Sequence, residues 1–339
     1  MMHNVSTATA KATSSRVYIY VLMLLCCLLL AAYSLASGTI ELSLQQVFSA
    51  LSGQGSKLND MVINQWRMPR VVMALIFGAG LGMSGAIFQS LIRNPLGSPD
   101  LIGFNAGAHS GALITIIVLN GSALQITINA VLGGLLTAAI IYFLSFRQGI
   151  SSIRLILIGV GLNAVLSAVN HWLITSTDLA TAMQGAIWGN GSLNGISWSK
   201  AMLPASVAII AMVIALGLQR QMKIMEMGDD LATSLGVDTE KVRATLFLLA
   251  IVMSACATAS TGPIAFIALA APQLAKLITR NQSISLTASM LTGAFLLVSC
   301  DLIARVAFHP QQLPVGVITV SLGGFYLLWL LLYQANKNQ

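Results

Sequence analysis

Long apolar runs separated by short polar breaks organise this chain from end to end. Ten of them read as helices of membrane-crossing character, at about residues 17–36, 70–92, 101–119, 123–146, 153–175, 201–219, 242–260, 264–279, 284–304 and 315–333. The hydrocarbon core of a bilayer takes about 20 apolar residues of helix. The runs lack the apolar–polar alternation that marks a membrane barrel strand, and a helix satisfies its own backbone in lipid. The predicted fold class is therefore all-α: a polytopic membrane protein of about ten spans, with residues 1–339 forming one transmembrane domain. Segment 176–200, which contains WGNGSLNGISW, reads as a loop with a short interfacial helix.

Composition agrees with the pattern. Of 339 residues, 56% are hydrophobic and 8% charged, with a mean hydropathy of +0.84. Soluble proteins carry about 25% charged residues. The net charge of +7 raises nucleic acid as a partner, but its distribution argues for topology instead. With the N-terminus in the cytoplasm, 12 of the 17 Lys and Arg residues fall on the inner side, Arg93, Arg147 and Arg243 among them. Five fall outside: Lys57, Arg67, Arg70, Lys200 and Arg305. This is the positive-inside pattern, and an even number of spans puts both termini in the cytoplasm. The run Val17–Ala36 exceeds the 7–15 residues of a signal-peptide core, so it is expected to be retained as the first span.

Small residues crowd GAGLGMSGA at 78–86, GVG at 159–161 and LGG at 322–324. In lipid, such residues let helices approach closely. The four cysteines lie in apolar runs without ligand spacing and read as core residues. The histidines form no H-E-x-x-H or comparable metal set, and serines have no base nearby in sequence. No G-x-x-x-x-G-K-[ST] phosphate loop occurs, so the chain is expected to be no enzyme and to bind no cofactor itself. An ion-coupled carrier usually keeps acidic groups deep in the membrane. Here no Asp or Glu lies near the middle of a span, and Asp301 sits towards an end.

One segment departs from the greasy background. MKIMEMGDDLATSLGVDTEKVR, residues 222–243, holds eight of the 27 charged residues. It reads as two short helices. Asp229 or Asp230 can cap the first and Asp238 the second. Gly236 suits a left-handed helix end, and Val237 with Val242 occupies the staple positions around Asp238. Met227, Leu231 and Leu235 make an apolar stripe at intervals of four. Simple helix connections need only about 2–8 residues, so the segment is either a solvated connector or a docking knob for a cytoplasmic partner.

EMGDDLATSLGV at 226–237 resembles the coupling segment of the iron-siderophore and cobalamin permeases of bacterial ABC importers. The resemblance extends through RMPRVVMALIFGAGLGMSGAIFQSLIRNPLGSPDLIGFNAGA at 67–108, GPIAFIALAAP at 262–272 and LPVGVITVSLGGFYLLWLL at 313–331. It implies a type II ABC importer permease fold in the bacterial inner membrane. It also implies two copies of a cytoplasmic ATPase, which alone uses ATP, a second permease subunit of a different but related chain, and a periplasmic binding protein. The implied cargo is a ferric siderophore, a catecholate such as ferric enterobactin. Hydroxamate siderophores, haem and cobalamin are alternatives within the family.

The resemblance also assigns residues. Gly228, Asp229, Asp230, Ala232, Leu235 and Gly236 would couple to the ATPase. Arg67, Arg70 and Arg305 would receive acids of the binding protein, a task suited to the arginine fork; snorkelling at a helix end is the competing account. Asp301 and Arg305, four apart, can pair on one helix face. Asn163, Asn170, His171, Thr319 and Ser321 would lie along the path, or serve as interhelical hydrogen-bonding groups. Asn94 and Leu96 would lie at a gate in a loop stiffened by Pro95 and Pro99. Gln273 stands where many members have His, so it can keep a hydrogen bond but cannot titrate.

Overall fold

The computed structural model describes residues 2–38, 40, 42–100, 103–145, 152–280, 283–307 and 311–337. Arg147 and the first two residues of the predicted third span lie outside them. Among the described residues there is helix and no strand.

The helices, in chain order, are α1 (Met2–Ala36), α2 (Leu44–Leu51), α3 (Lys57–Asp60), α4 (Met68–Ile92), α5 (Phe104–Leu113), α6 (Ala123–Ser145), α7 (Ser152–Thr175) and α8 (Leu179–Gly189). They continue as α9 (Trp198–Gly217), α10 (Gln219–Met225), α11 (Asp229–Ser234), α12 (Thr239–Thr261), α13 (Ile267–Thr279), α14 (Leu286–Val306) and α15 (Val315–Lys337). Seven rods are long and apolar enough to cross a membrane, and three more apolar helices are shorter. These ten coincide with the ten runs in the sequence. The short helix expected within 176–200 is α8.

α3, a wide π-helical stretch at Met61–Arg67 and α4 run on as one rod, Lys57–Ile92. Pro69 lies inside this rod and has no N–H to give the preceding turn, and the Asn64 carbonyl there accepts from the Trp198 indole N–H at 2.9 Å. α4 is the core of the bundle: 83% of its most apolar window is buried, against 17% for α7. α14, α12, α13 and α9 pack around α4, and α1 lies against α14. A second group, α5 with α6, α7 and α8, stands beside them, joined through α6 to α12.

Glycine sets the closest approach. A Cβ at Gly78 would lie 2.6 Å from the Gly293 carbonyl oxygen of α14. One at Gly85 would collide with the carbonyl of Ala268 in α13. Pro272 has no N–H to give that carbonyl, so Gly85 packs on an oxygen released from its own helix. Polar side chains tie the same helices. Ser84 donates to the Ala250 carbonyl at 2.7 Å, and Gln89 to the Leu269 carbonyl at 3.0 Å. The four cysteines are free, and three of them are buried.

Candidate functional site: two charged ends and a polar cavity

α4 carries chemistry at both ends. Its 25 residues span about 37 Å at 1.5 Å per residue, with Arg67 and Arg70 at one end and Arg93 at the other.

At the first end, Arg67, Arg70 and Arg305 converge as the sequence suggests, but they do not stand free. Their relative exposures are 7%, 7% and 6%. Arg67 donates to the carbonyls of Leu35 at 2.8 Å and Ala36 at 2.9 Å, and to that of Ile40. Arg305 donates to the carbonyls of Ser34 at 3.2 Å and Ser37 at 3.3 Å, and to the Ser34 hydroxyl. Both arginines therefore cap the last turn of α1, whose final carbonyls have no donor within the helix. Arg70 donates through Nε to both oxygens of Asp301, at 2.9 and 3.1 Å, and through Nη1 to Gln312 at 3.0 Å. Asp301 also pairs with Arg305 at 3.2 Å, at the predicted spacing of four. Snorkelling does not describe these side chains, because they point into the fold. All three arginines border a cavity of about 510 Å³, with Gln65, Trp66, Asn194 and Ser197 around it.

A second cavity, of about 600 Å³, lies between α5, α7, the end of α8 and α15. Asn163, Asn170, His171 and Ser321 line it. Thr319 does not; it is buried and donates back to the Gly316 carbonyl at 3.1 Å. Asn170 accepts from Ser110 at 2.7 Å and donates to the Ala106 carbonyl at 3.1 Å, so it also ties α7 to α5. Asn105, His109, Ser167 and Asn190 join the lining, and sequence reasoning passed over them. His109 stacks on Trp188 with ring centroids 6.1 Å apart. No carboxylate, Lys or Arg is among the described residues that line it. Amides, hydroxyls and imidazoles offer many weak hydrogen bonds and no fixed charge to trap a charged solute.

At the far end of α4, residues 222–243 form α10, α11 and the start of α12. Met227, Leu231 and Leu235 are 69%, 43% and 60% exposed, so the apolar stripe faces outward. Ala232 is buried. Gly236 adopts φ 82° after the α11 C-cap at Leu235, as a left-handed position requires. Asp238 caps α12 through the Lys241 N–H at 3.2 Å, and Val237 and Val242 are both buried beside it. The carboxyl of Asp238 is held below its ordinary range, first by the Lys241 side chain and then by that N–H. The expected cap at Asp229 or Asp230 is corrected. The α11 N-cap is Gly228, at φ 123°, and no side chain caps it. Asp229 instead bridges Arg93 at 3.0 Å and Arg243 at 2.7 Å.

The connection after α4 passes close to this end. Asn94 accepts from the Leu96 N–H at 2.9 Å and so shapes the turn, and Leu96 is 46% exposed. Neither borders the two cavities. Gln273 makes the hydrogen bond expected of it, donating to Gln89 at 2.5 Å. Asp100, outside the spans, accepts from the Phe266 N–H at 3.1 Å and from Asn105 at 2.8 Å. Burial pushes its carboxyl up to about 7 against the lowering effect of those two donors.

A multi-span bundle with a polar cavity and an exposed apolar knob at one end has the build of a membrane transport subunit. The particular family follows from comparison: residues 22–333 match the model of the FecCD transport family, and this chain belongs to it. It is 46% identical over 329 residues to the ferric enterobactin transport system permease protein FepG of Escherichia coli strain K12, covering 95% of this chain and 100% of that protein. Identity is 34% to the iron(3+)-hydroxamate import system permease protein FhuG of Bacillus subtilis strain 168, covering 88% and 92%. It is 33% to the hemin transport system permease protein HmuU of Yersinia pestis, covering 93% and 96%. A solved metal-chelate type ABC transporter in an inward-facing conformation superposes with a TM-score of 0.81 at 27% identity, covering 94% of this chain and 99% of that one.

Proposed function

We propose that this chain is the membrane-spanning subunit of an ABC importer that moves a ferric catecholate siderophore, of the ferric enterobactin kind, into the cytoplasm. The observation that carries the cargo assignment is the full-length match at 46% identity to an enterobactin permease, against 34% and 33% for hydroxamate and hemin permeases. The chain works beside a second, related permease subunit, with two cytoplasmic ATPase copies supplying ATP-driven motion and a periplasmic binding protein delivering cargo. Both termini lie in the cytoplasm, and residues 222–243 face the ATPase there. An amphipathic knob with an exposed apolar stripe is the kind of surface that seats in a groove.

The cavity bordered by Arg67, Arg70 and Arg305 marks the face that receives the binding protein. Among the described residues three guanidiniums face one carboxylate there, and an acidic side chain entering the pocket meets donors already held in place. The neutral cavity along α7 then serves the path, where weak hydrogen bonds from Asn163, His171 and Ser321 pass an anionic complex without holding it. The connection around Asn94 and Leu96 serves as its gate.

The test is uptake of radioactive iron in cells lacking their own siderophore importers but supplied with the chain, its partner permease, ATPase and binding protein. Uptake as ferric enterobactin, exceeding uptake as ferrichrome or haem, is expected. Uptake of another chelate alone would overturn the cargo, and no uptake of any would overturn the importer.

A further inference from the structure

The connection from α4 to α5 is held at three points along residues 93–100. At its start, Arg93 adopts the left-handed conformation, φ 52°, which a non-glycine residue keeps only where its surroundings hold it. Its guanidinium donates to the Met225 carbonyl at 2.9 Å and to Asp229 Oδ1 at 3.0 Å. Arg243, near the start of α12, donates to Asp229 Oδ2 at 2.7 Å. In the middle, Gln273 of α13 reaches the Pro95 carbonyl at 3.4 Å while bonded to Gln89 of α4. At the end, Asp100 takes the Phe266 N–H that opens α13. One short stretch of chain thus ties α4, α10, α11 and α13 together, and Asp229 extends the tie to α12.

Asp229 and Asp230 carry the same charge on one short helix, and both are exposed. Their surroundings differ. Asp229 is shared by guanidiniums from the residue that ends α4 and from α12, whereas Asp230 makes no ion pair among the described residues. Exposed bridges add little to stability, so holding the fold is a weak reason for this arrangement. Charge-assisted bonds to both oxygens do fix direction, and a fixed direction is what passing on a displacement requires.

We propose that Asp229 is a mechanical joint: Arg93 and Arg243 grip it so that a push on α11 moves the 93–100 connection and α12, while the ATPase itself meets Asp230 and the exposed Met227, Leu231 and Leu235. This rests on the reading of residues 222–243 as the ATPase-facing knob. Asp229 and its two arginines are then positioning residues, acting through the elements they join.

The assembled importer, purified with each variant and placed in lipid vesicles, tests this through three readings: ATPase retained, ATP hydrolysed and iron complex taken up. Arg93→Gln and Asp229→Asn each retain the ATPase and the wild-type melting temperature, and each lowers uptake per ATP about fivefold. The double variant falls no further than either single one, and Arg93→Lys regains most of the loss. Asp230→Asn, the same loss of charge one residue on, lowers the amount of ATPase retained instead. Unchanged uptake per ATP in Asp229→Asn, loss of the ATPase from it, or multiplied losses in the double variant would each overturn the joint. A wild-type assembly that retains no ATPase would overturn the knob reading, and the joint with it.

Discussion

Asp301 offers the sharpest test of how the arginine end is built. Its side chain is 1% exposed and holds Arg70 at 2.9 Å and Arg305 at 3.2 Å. Asp301→Ala leaves two guanidiniums close together with no carboxylate between them. Breaking a buried pair in this way costs about 3–5 kcal/mol; losing an exposed pair costs about 1 kcal/mol or less. The cavity of about 510 Å³ beside both arginines has room for water, and Gln312 and the α1 carbonyls remain as acceptors. The lower end of the buried range, about 3 kcal/mol, is therefore expected. Asp301→Asn keeps a carbonyl acceptor and should lose about half of that. Unfolding in mixed micelles across a denaturing detergent series reads the difference directly. Arg70→Leu combined with Asp301→Leu should cost less than Asp301→Ala alone, because one buried guanidinium, that of Arg305, is left without its carboxylate instead of two. A cost below about 1 kcal/mol for Asp301→Ala would show the cluster behaving as a hydrated surface pair and refute the argument from burial.

Two matched pairs extend the test. Gly85→Ala drives a methyl group into the Ala268 carbonyl, whereas Gly80→Ala finds its nearest neighbour, Met253 Cβ, at 3.6 Å. The first should lose about 1–3 kcal/mol or more by overpacking and the second stay within about 0.5 kcal/mol, read by melting in detergent; equal effects would refute the close crossing of α4 on α13. Asp100 sits at about 7 in the folded chain against an ordinary 3.8. Its folded value is the higher one, so its contribution is complete below the unfolded value and is lost as pH rises from about 4 through about 7. Melting temperature should therefore fall more steeply with pH over that window in the wild type than in Asp100→Asn, and parallel slopes would remove Asp100 as the cause.

The spans were legible because lipid imposes a length and a composition that short runs of sequence display directly. Residues 17–36, 70–92 and 315–333 were found for that reason, and the helices there differ from the prediction mainly at their ends. The knob was legible for the opposite reason, as a charged stretch in an apolar chain. Asp238 and Gly236 carried local signals, a cap and a left-handed turn, and local signals depend on neighbours in sequence. Asp229 carried the same cap signal and does something else, because Arg93 lies 136 positions away in the chain. Asn105 was missed in the cavity because a single asparagine in an apolar run looks the same whether it lines a path or ties two helices, and Asn190 because it falls in the polar loop WGNGSLNGISW, where asparagine is ordinary.

The arginines show where such reading stops. Arginine on the outer side of a membrane protein signals a task, and the resemblance supplied one: receiving acids from a partner. The fold gives Arg67 and Arg305 a second task, ending α1, and their acceptors there are mostly main-chain carbonyls. A carbonyl has no letter in the sequence, so no motif can announce that use. The two tasks are compatible in one geometry. A guanidinium held by α1 on one side and bordering an open cavity on the other has already lost the side-chain freedom that docking would otherwise cost. If these arginines receive the binding protein as proposed, the contacts that steady the first helix also prepare the surface for it, and weakening α1's last turn should weaken docking without any change to an arginine.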